Sequence, residues 1–550
     1  MLIWKRMALR NPRFLQNRWV LAASMFLAFT GLSLGLAWIS TGYSGVPGWT
    51  SFFFLLLIGA GLLFAGWKAL RADSRLEVPA WLVWLALGAG ILRLLTGAFW
   101  FVSLPQGGYG SPVEQGGYVM SDAYARDQAA WNLAESGKPL WVAFTGYRQA
   151  DQYGGLLYLS GLVYRYLGGD FHQPLLIVVL AAFFSALAVL FTWGFASRAW
   201  DSTIGRFSAW SLALYPEAVL LGSSQMREAF TITLVAVAFY GLIRYWQDRT
   251  WQGLAWLLLA LVFCVPFSPP FAALLLGVLI LQALFMGGWK LYRLKNFWLV
   301  IAGLALLAGI GVWLSWSRTG GHDFSNPLEL ASWWIKQSAR WQAQLTKQAS
   351  GWVQKVFQST PNWIHMPFLV TYGVVRPFLP AALLDSSNPI WQGISIWRSL
   401  GWTILLPFLA VAPLRAFERK DRREVTKGLA LAVWLVILIA SLRSGGDQWD
   451  NPRYRAAFAS PQVALAAWVW FEHLRHPTPL LRRATVALVF ILAWFLPWYL
   501  RRYTPIHWPV QDLFKTIFLG IASASLYFLW DWASESREKS HAENGPETRS

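Results

Sequence analysis

Residues 173–196 read QPLLIVVLAAFFSALAVLFTWGFA, a stretch without a single Asp, Glu, Lys or Arg. About 20 apolar residues in a row are what an α-helix needs to cross the hydrocarbon layer of a bilayer. Lipid offers no partner to backbone N–H and C=O groups, so each span must satisfy its own and helix is expected over sheet. Outward from this stretch, comparable runs recur at roughly 19–39, 50–67, 79–104, 205–222, 229–245, 252–267, 269–288, 297–315, 393–413, 428–442, 456–472, 483–500 and 512–530. The expected fold class is therefore an all-α polytopic membrane protein with about fourteen transmembrane helices. Pro266, Pro269 and Pro270 make the pair 252–267 and 269–288 either a tight hairpin or one broken helix.

Composition agrees. Of 550 residues, 56% are hydrophobic and 13% charged, against about a quarter charged in a soluble domain, which excludes a single soluble enzyme. The aromatic share of 17%, including 37 Trp, suits a chain with many lipid–water interfaces. A net charge of +19 would suggest nucleic acid in a soluble protein. Here the basic residues sit in short loops between apolar runs, so they set orientation and no nucleic-acid partner is expected. The single Cys264 lies inside an apolar run and rules out a disulfide framework or thiolate metal site. The run after Arg18 has spanning rather than signal length, so no cleavable signal peptide is expected.

Lys5, Arg6, Arg10, Arg13 and Arg18 before the first run place the N-terminus in the cytoplasm. Alternate loops then carry Lys68, Arg71 and Arg75; Arg198 and Arg206; Arg244 and Arg249; Lys290, Arg293 and Lys295; Arg415 through Lys427; and Arg475, Arg482 and Arg483. Only Arg501 and Arg502 run against the pattern. Both termini are expected in the cytoplasm and the chain in the cell membrane. Two outer loops are long, about 105–172 and 316–392, and each contains juxtamembrane helices. In the second, Trp334, Trp341, Leu345, Trp352 and Val356 share one face of an amphipathic helix, read either as a structural cover or as a substrate-binding element. The expected division is 1–78 as two N-terminal helices and a loop, 79–475 as a core, 476–531 as a C-terminal helix pair and 532–550 as a disordered cytoplasmic tail.

Three polar clusters lie on the outer side in this topology, and charge is read at span ends rather than mid-bilayer. The first runs SDAYARD from Ser121 to Asp127, followed by WNLAESG, a short surface helix. Asp122 at its start is either a helix cap or a base toward an acceptor hydroxyl or amine. Arg148, Asp151 and Tyr153 follow in the same loop, before an apolar helix in 154–168. The second is Tyr215-Pro216-Glu217 with Ser223-Ser224-Gln225-Met226-Arg227-Glu228 at a tight turn. Arg227 and Glu228 either neutralise each other or form the acid and base of a site. The third runs from Asp447 through Asn451, Pro452, Arg453, Tyr454 and Arg455. Two outer Arg are not explained by orientation; they suit a phosphate at a helix start, or an internal ion pair with Asp447 or Asp450. No GxxxxGK[ST] is present, so an ATP-driven pump is not supported, and the seven His show no zinc-ligand spacing.

Together, SDAYARDQAAWNLAESGKPLW…YGGLLYLSGLVYRYLGG, YP…SSQMRE and NPRYRAAFASPQVALAAW resemble membrane-embedded glycosyltransferases of the C superfamily. Protein O-mannosyltransferases, the lipid A aminoarabinose transferase and Rgt-like transferases belong there. The resemblance covers roughly 80–475. It implies transfer of a sugar from a polyprenyl-phosphate donor to a lipid, glycan or protein acceptor at the outer face, within cell-envelope glycan biosynthesis. By the same resemblance Asp122 is the first-loop base and Glu228 stands near the second acidic position. Arg453 and Arg455, with Tyr454, match the basic segment near the lipid phosphate. Asp127, Arg148, Asp151, Tyr153 and Arg227 are the remaining candidates for substrate contact. The sequence departs from the family in lacking a paired acid after Asp122 and a second Asp-x-Asp. A divalent metal bridging the phosphate is compatible with these acids but not defined by them. The rivals are a lipid-linked-sugar transporter or flippase, a polysaccharide polymerase or ligase, and a catalytically silent scaffold. No internal repeat of the transporter kind is visible.

Overall fold

The computed structural model describes residues 18–42, 46–287, 351–418, 424–444 and 452–543, with a few isolated positions between. Among them the chain is helical and contains no strand. The helices run α1 (Arg18–Thr41), α2 (Val46–Arg71), α3 (Trp81–Gly107), α4 (Pro112–Gln115), α5 (Ser121–Glu135), α6 (Gly155–Leu167), α7 (Leu175–Ala199), α8 (Ser202–Leu214), α9 (Pro216–Gly222) and α10 (Arg227–Asp248). They continue with α11 (Trp251–Phe267), α12 (Pro269–Gly287), α13 (Gly351–Ser359), α14 (Asn362–Val375), α15 (Leu379–Leu384) and α16 (Pro389–Glu418). The last are α17 (Glu424–Ser444), α18 (Arg453–Ala456), α19 (Ala459–Arg475), α20 (Pro479–Tyr503) and α21 (Leu513–Glu543). A 3-10 turn, Leu140–Phe144, joins α5 to α6.

Ten of the described helices are long and apolar enough to cross a membrane: α1, α2, α3, α7, α10, α12, α16, α17, α20 and α21. The protein is an all-α polytopic membrane protein. The expected run at 205–222 is not one span. Tyr215 is extended, as the residue before a proline tends to be, and Pro216 starts a new short helix, α9. The pair around Pro269 resolves as a tight hairpin: Ser268 is extended between α11 and α12, which pack together. The run at 456–472 is the 17-residue α19 preceded by the short α18. The run at 297–315, the Trp334–Trp352 face and the Asp447 and Asp450 carboxylates lie outside the described residues.

The chain forms two compact units. The first comprises 1–106, 110–190 and 219–230; the second comprises 107–109, 191–218 and 231–550. In the first, α7 is the core helix: Leu175, Leu176, Ile177, Val179, Ala181, Ala182 and Phe183 are buried. That all-round burial explains its near-continuous apolar sequence, since no face needs to meet water. In the second, α19 is buried along most of its length. The α20–α21 hairpin is tied by Arg482 and Arg483 to Asp531 at 2.5 and 2.7 Å, and Arg483 reaches Glu535 at 3.0 Å. These pairs lie past Trp530, and α21 continues through Glu543, so the segment expected as a disordered tail is helical to that residue. Acid–base pairs and helix-favouring Glu and Lys supply what apolar burial does not.

Arg93 also departs from expectation. It sits inside the span α3 at 1% exposure, not at a helix end.

Candidate functional site

The loop between α3 and α7 is a folded layer rather than a tether. Its entrance is capped by Ser111, whose hydroxyl accepts the Glu114 backbone N–H while Glu114 accepts from the Ser111 N–H. Gly117 and Gly154 hold positive φ, +76° and +81°. A Cβ on Gly154 would lie 2.5 Å from the Ala143 carbonyl oxygen, so only glycine lets the 3-10 turn pass beneath α6. α5 and α6 pack together, and Arg165 on α6 donates to the Leu133 and Ala134 carbonyls at 2.7 and 3.3 Å, satisfying the C-terminal end of α5.

Asp127 fastens this layer. It is 1% exposed and accepts hydrogen bonds from the Tyr118 hydroxyl at 2.5 Å and the Tyr164 hydroxyl at 2.5 Å, with His172 Nε2 at 2.8 Å. These partners come from before α5, from α6 and from the residues leading into α7. The His172 ring stacks on Trp131 at 5.2 Å, and Tyr164 meets Trp131 edge-on at 5.6 Å. Burial, then the adjacent Asp127 carboxylate, holds both phenols well above the ordinary tyrosine value of 10.0. Asp127 is thus enclosed by side chains of its own layer.

One residue earlier, Arg126 organises the second group. Its guanidinium is 3% exposed, lies 3.6 Å from Asp151 Oδ2 and donates to the Gln225 carbonyl at 3.2 Å. It is also within electrostatic reach of Arg227, Glu228 and Asp122. Burial lowers its pKa from the ordinary arginine value, opposed first by the Asp151 carboxylate. Asp151 accepts the backbone N–H groups of Tyr153 and Leu157 at 3.3 and 3.1 Å, anchoring the start of α6. Arg227 lies over the Tyr153 ring at 5.2 Å. Of the residues singled out in the sequence, Asp151 thus pairs with Arg126, Asp122, Arg227 and Glu228 lie within its electrostatic reach, and Tyr153 lies under Arg227. Arg148 is exposed on the turn before Asp151 and takes no part in that group.

Of the two readings of Asp122, helix cap or base, the N-cap position itself falls to Met120. α5 begins at Ser121 after Met120, with no side-chain cap, and Asp122 is the second helical residue, half-buried in the first turn. A carboxylate there is favoured by the helix dipole.

The turn carrying Arg227 and Glu228 is itself held from several sides. The Gln225 side chain donates to the Pro174 carbonyl at 2.8 Å, and Trp100 donates to Ser223 Oγ at 3.2 Å. A cavity of about 20 Å³ lies against the turn, lined in part by Trp100, Tyr118, Ser223, Ser224 and Gln225.

The third cluster belongs to the second unit, and there the structure divides it. Arg455 is 4% exposed, lies 3.6 Å from the Trp402 ring centre and donates to the Gly373 carbonyl at 3.0 Å and to the Arg376 carbonyl. Trp402 donates to the Val374 carbonyl at 2.8 Å. Together they satisfy the C-terminal carbonyls of α14, so Arg455 is spent on the protein rather than turned to a ligand. Arg453 is 7% exposed, beside the half-buried Tyr454, whose ring it overlies at 5.2 Å. Glu217 of the YPE motif forms a bidentate pair with Arg398, both bonds 2.7 Å, that joins α9 to α16.

Arg126 lies four residues after Asp122, a spacing that puts both on one face of α5 and is the one signal in the sequence for its role. Nothing in the sequence pairs Asp127 with Tyr118, Tyr164 and His172, which are 9, 37 and 45 positions away. The described residues contain no group of three or more His, Cys, Asp or Glu placed to hold a metal.

No protein-family model and no curated protein matches the chain. Among solved structures, one similar chain is the archaeal oligosaccharyltransferase AglB of Archaeoglobus fulgidus, in complex with an inhibitory peptide and a dolichol-phosphate. Identity is 13% and the TM-score 0.37, over 81% of this chain and 54% of AglB. The chain thus spans about half the length of that protein, and a likeness this distant carries no argument about activity.

Proposed function

We propose that the protein is an integral-membrane glycosyltransferase that moves a sugar from a polyprenyl-phosphate donor to an acceptor at the outer face of the cell membrane. The observation that supports this reading is the convergence of Asp122, Asp151, Arg227 and Glu228 on the buried Arg126. Transfer from a phosphate-linked sugar requires a base for the incoming hydroxyl or amine and positive charge for the departing phosphate. In this reading Asp122, half-buried at the start of α5, takes the acceptor proton. Glu228 shares the task from the start of α10. Arg227, resting on Tyr153, faces the developing phosphate charge, and Asp151 and Arg126 hold the group in register. Asp127 and Arg455 are assigned to positioning, each within its own unit.

The test is release of polyprenyl phosphate by purified protein in nanodiscs, supplied with a panel of polyprenyl-phosphate sugars. Asp122→Asn is expected to lower turnover by about 10²- to 10⁴-fold, the usual worth of a general base, with donor KM little changed. Equal release by both proteins would move the base to Glu228. Binding without release, for every donor, would sink the transferase and favour a transporter or scaffold.

A further inference from the structure

An arginine inside an apolar span is costly and needs a reason. Arg93 of α3 is such a residue, and the proposed chemistry does not use it. It donates to its own Ala89 carbonyl at 3.0 Å, and its stem packs on Gly222, the last residue of α9. A Cβ at Gly222 would lie 2.6 Å from Arg93 Cδ and 2.8 Å from Nε, and would also strike Ser185 Oγ on α7. One turn along α3, a Cβ at Gly97 would lie 2.8 Å from the Ser223 carbonyl oxygen. Next on the same face, Trp100 donates to Ser223 Oγ at 3.2 Å.

Arg93, Gly97 and Trp100 follow the spacing i, i+4, i+7, a single stripe of α3. The stripe meets three consecutive features of one short segment: the end of α9, the Ser223 carbonyl and the Ser223 hydroxyl. Two glycines, one on each side, remove the bulk that would hold the surfaces apart. A cation beside the C-terminal end of a helix is also favoured by its dipole.

We propose that Arg93 is a positioning residue: packed on Gly222, with Gly97 and Trp100 along the same stripe, it sets the turn Ser223–Met226 that delivers Arg227 and Glu228. The inference builds on the transferase reading but has its own readout. Met226 is 2% exposed, and the chain's only cysteine, Cys264, is buried. A Met226→Cys variant therefore carries a single reporter thiol at the turn, with Cys264 as an internal control for unfolding.

Maleimide labelling of Met226→Cys in nanodiscs is expected to quicken about tenfold or more when Arg93→Met is added, with Cys264 still protected. Arg93→Lys, which keeps the charge on a shorter reach, is expected to fall between. In the release assay Arg93→Met is expected to lower kcat by about 10²-fold, the cost of roughly 1 Å of misplacement, with donor KM nearly unchanged. Equal labelling with and without Arg93 would overturn the proposal, whatever the turnover. If wild type releases nothing, the transferase reading fails while the labelling result still decides this one. Should Arg93→Met expose Cys264 as well, Trp100→Phe, which removes the bond to Ser223 and part of the ring, takes its place under the same criterion.

Discussion

Asp127 and Arg126 are neighbours on α5 with opposite duties, and their contacts separate them. Asp127 spends both oxygens on Tyr118, Tyr164 and His172, while Arg126 faces the group of acidic and basic side chains. The two phenols carry a pH consequence. Their folded pKa values lie above the unfolded value near 10.0, so the folded state holds these protons more tightly than the unfolded chain. That contribution is complete below about pH 10 and is lost as pH climbs beyond it. Stability followed by thermal unfolding between pH 8 and 12 is expected to be level at first and then fall. In Tyr118→Phe the neutral-pH stability is expected to drop by about 1–3 kcal/mol, because a buried acceptor loses its donor, and the alkaline fall to become shallower. Tyrosinate absorbance gives the second reading: 2 of the 18 tyrosines are expected to ionise only as the loop layer opens. Coincident titration of all 18 below the transition would contradict the network.

At the scale of elements, short helices are held where longer ones hold themselves. α14 has 14 residues with Pro367 inside, and its last carbonyls are taken by Arg455 and Trp402. A guanidinium reaches two carbonyls at once while its flat face rests on an indole; an ammonium cannot do both. Arg455→Lys is therefore expected to raise amide exchange across 373–377 about tenfold or more, read by mass spectrometry, while exchange in α7 stays unchanged. Unaltered exchange there would return Arg455 to the ligand-binding residues its sequence suggested. The same logic governs the loop layer: α5 is closed by Arg165 and α6 is started by Asp151. These side chains were legible as polar residues in a membrane protein, but their partners were not. A carbonyl at the end of a helix has no signature in the sequence, and which cation reaches it depends on packing far along the chain.

For the whole molecule, the prediction concerns orientation. With the basic loops inside, a cysteine placed at Lys138, in the first long loop, is expected to react with a membrane-impermeant maleimide in intact cells. One at Arg71, in a basic loop, is expected to react only after permeabilisation. Buried Cys264 adds no background. The reverse result would invert the topology and put the Asp122 group in the cytoplasm. Length of apolar run, scarcity of charge and placement of Lys and Arg are properties of local sequence, because lipid acts on each segment separately. Hence the helical class, a break around Pro269 and the short helices α5 and α6 were readable from the amino-acid order alone. Tertiary structure decided the rest. It turned Arg455 inward, enclosed Asp127 and put Arg93 under the turn. The reason is common to all three: a buried polar group must find its partners wherever folding brings them, and those partners are chosen by proximity in space rather than by position along the chain.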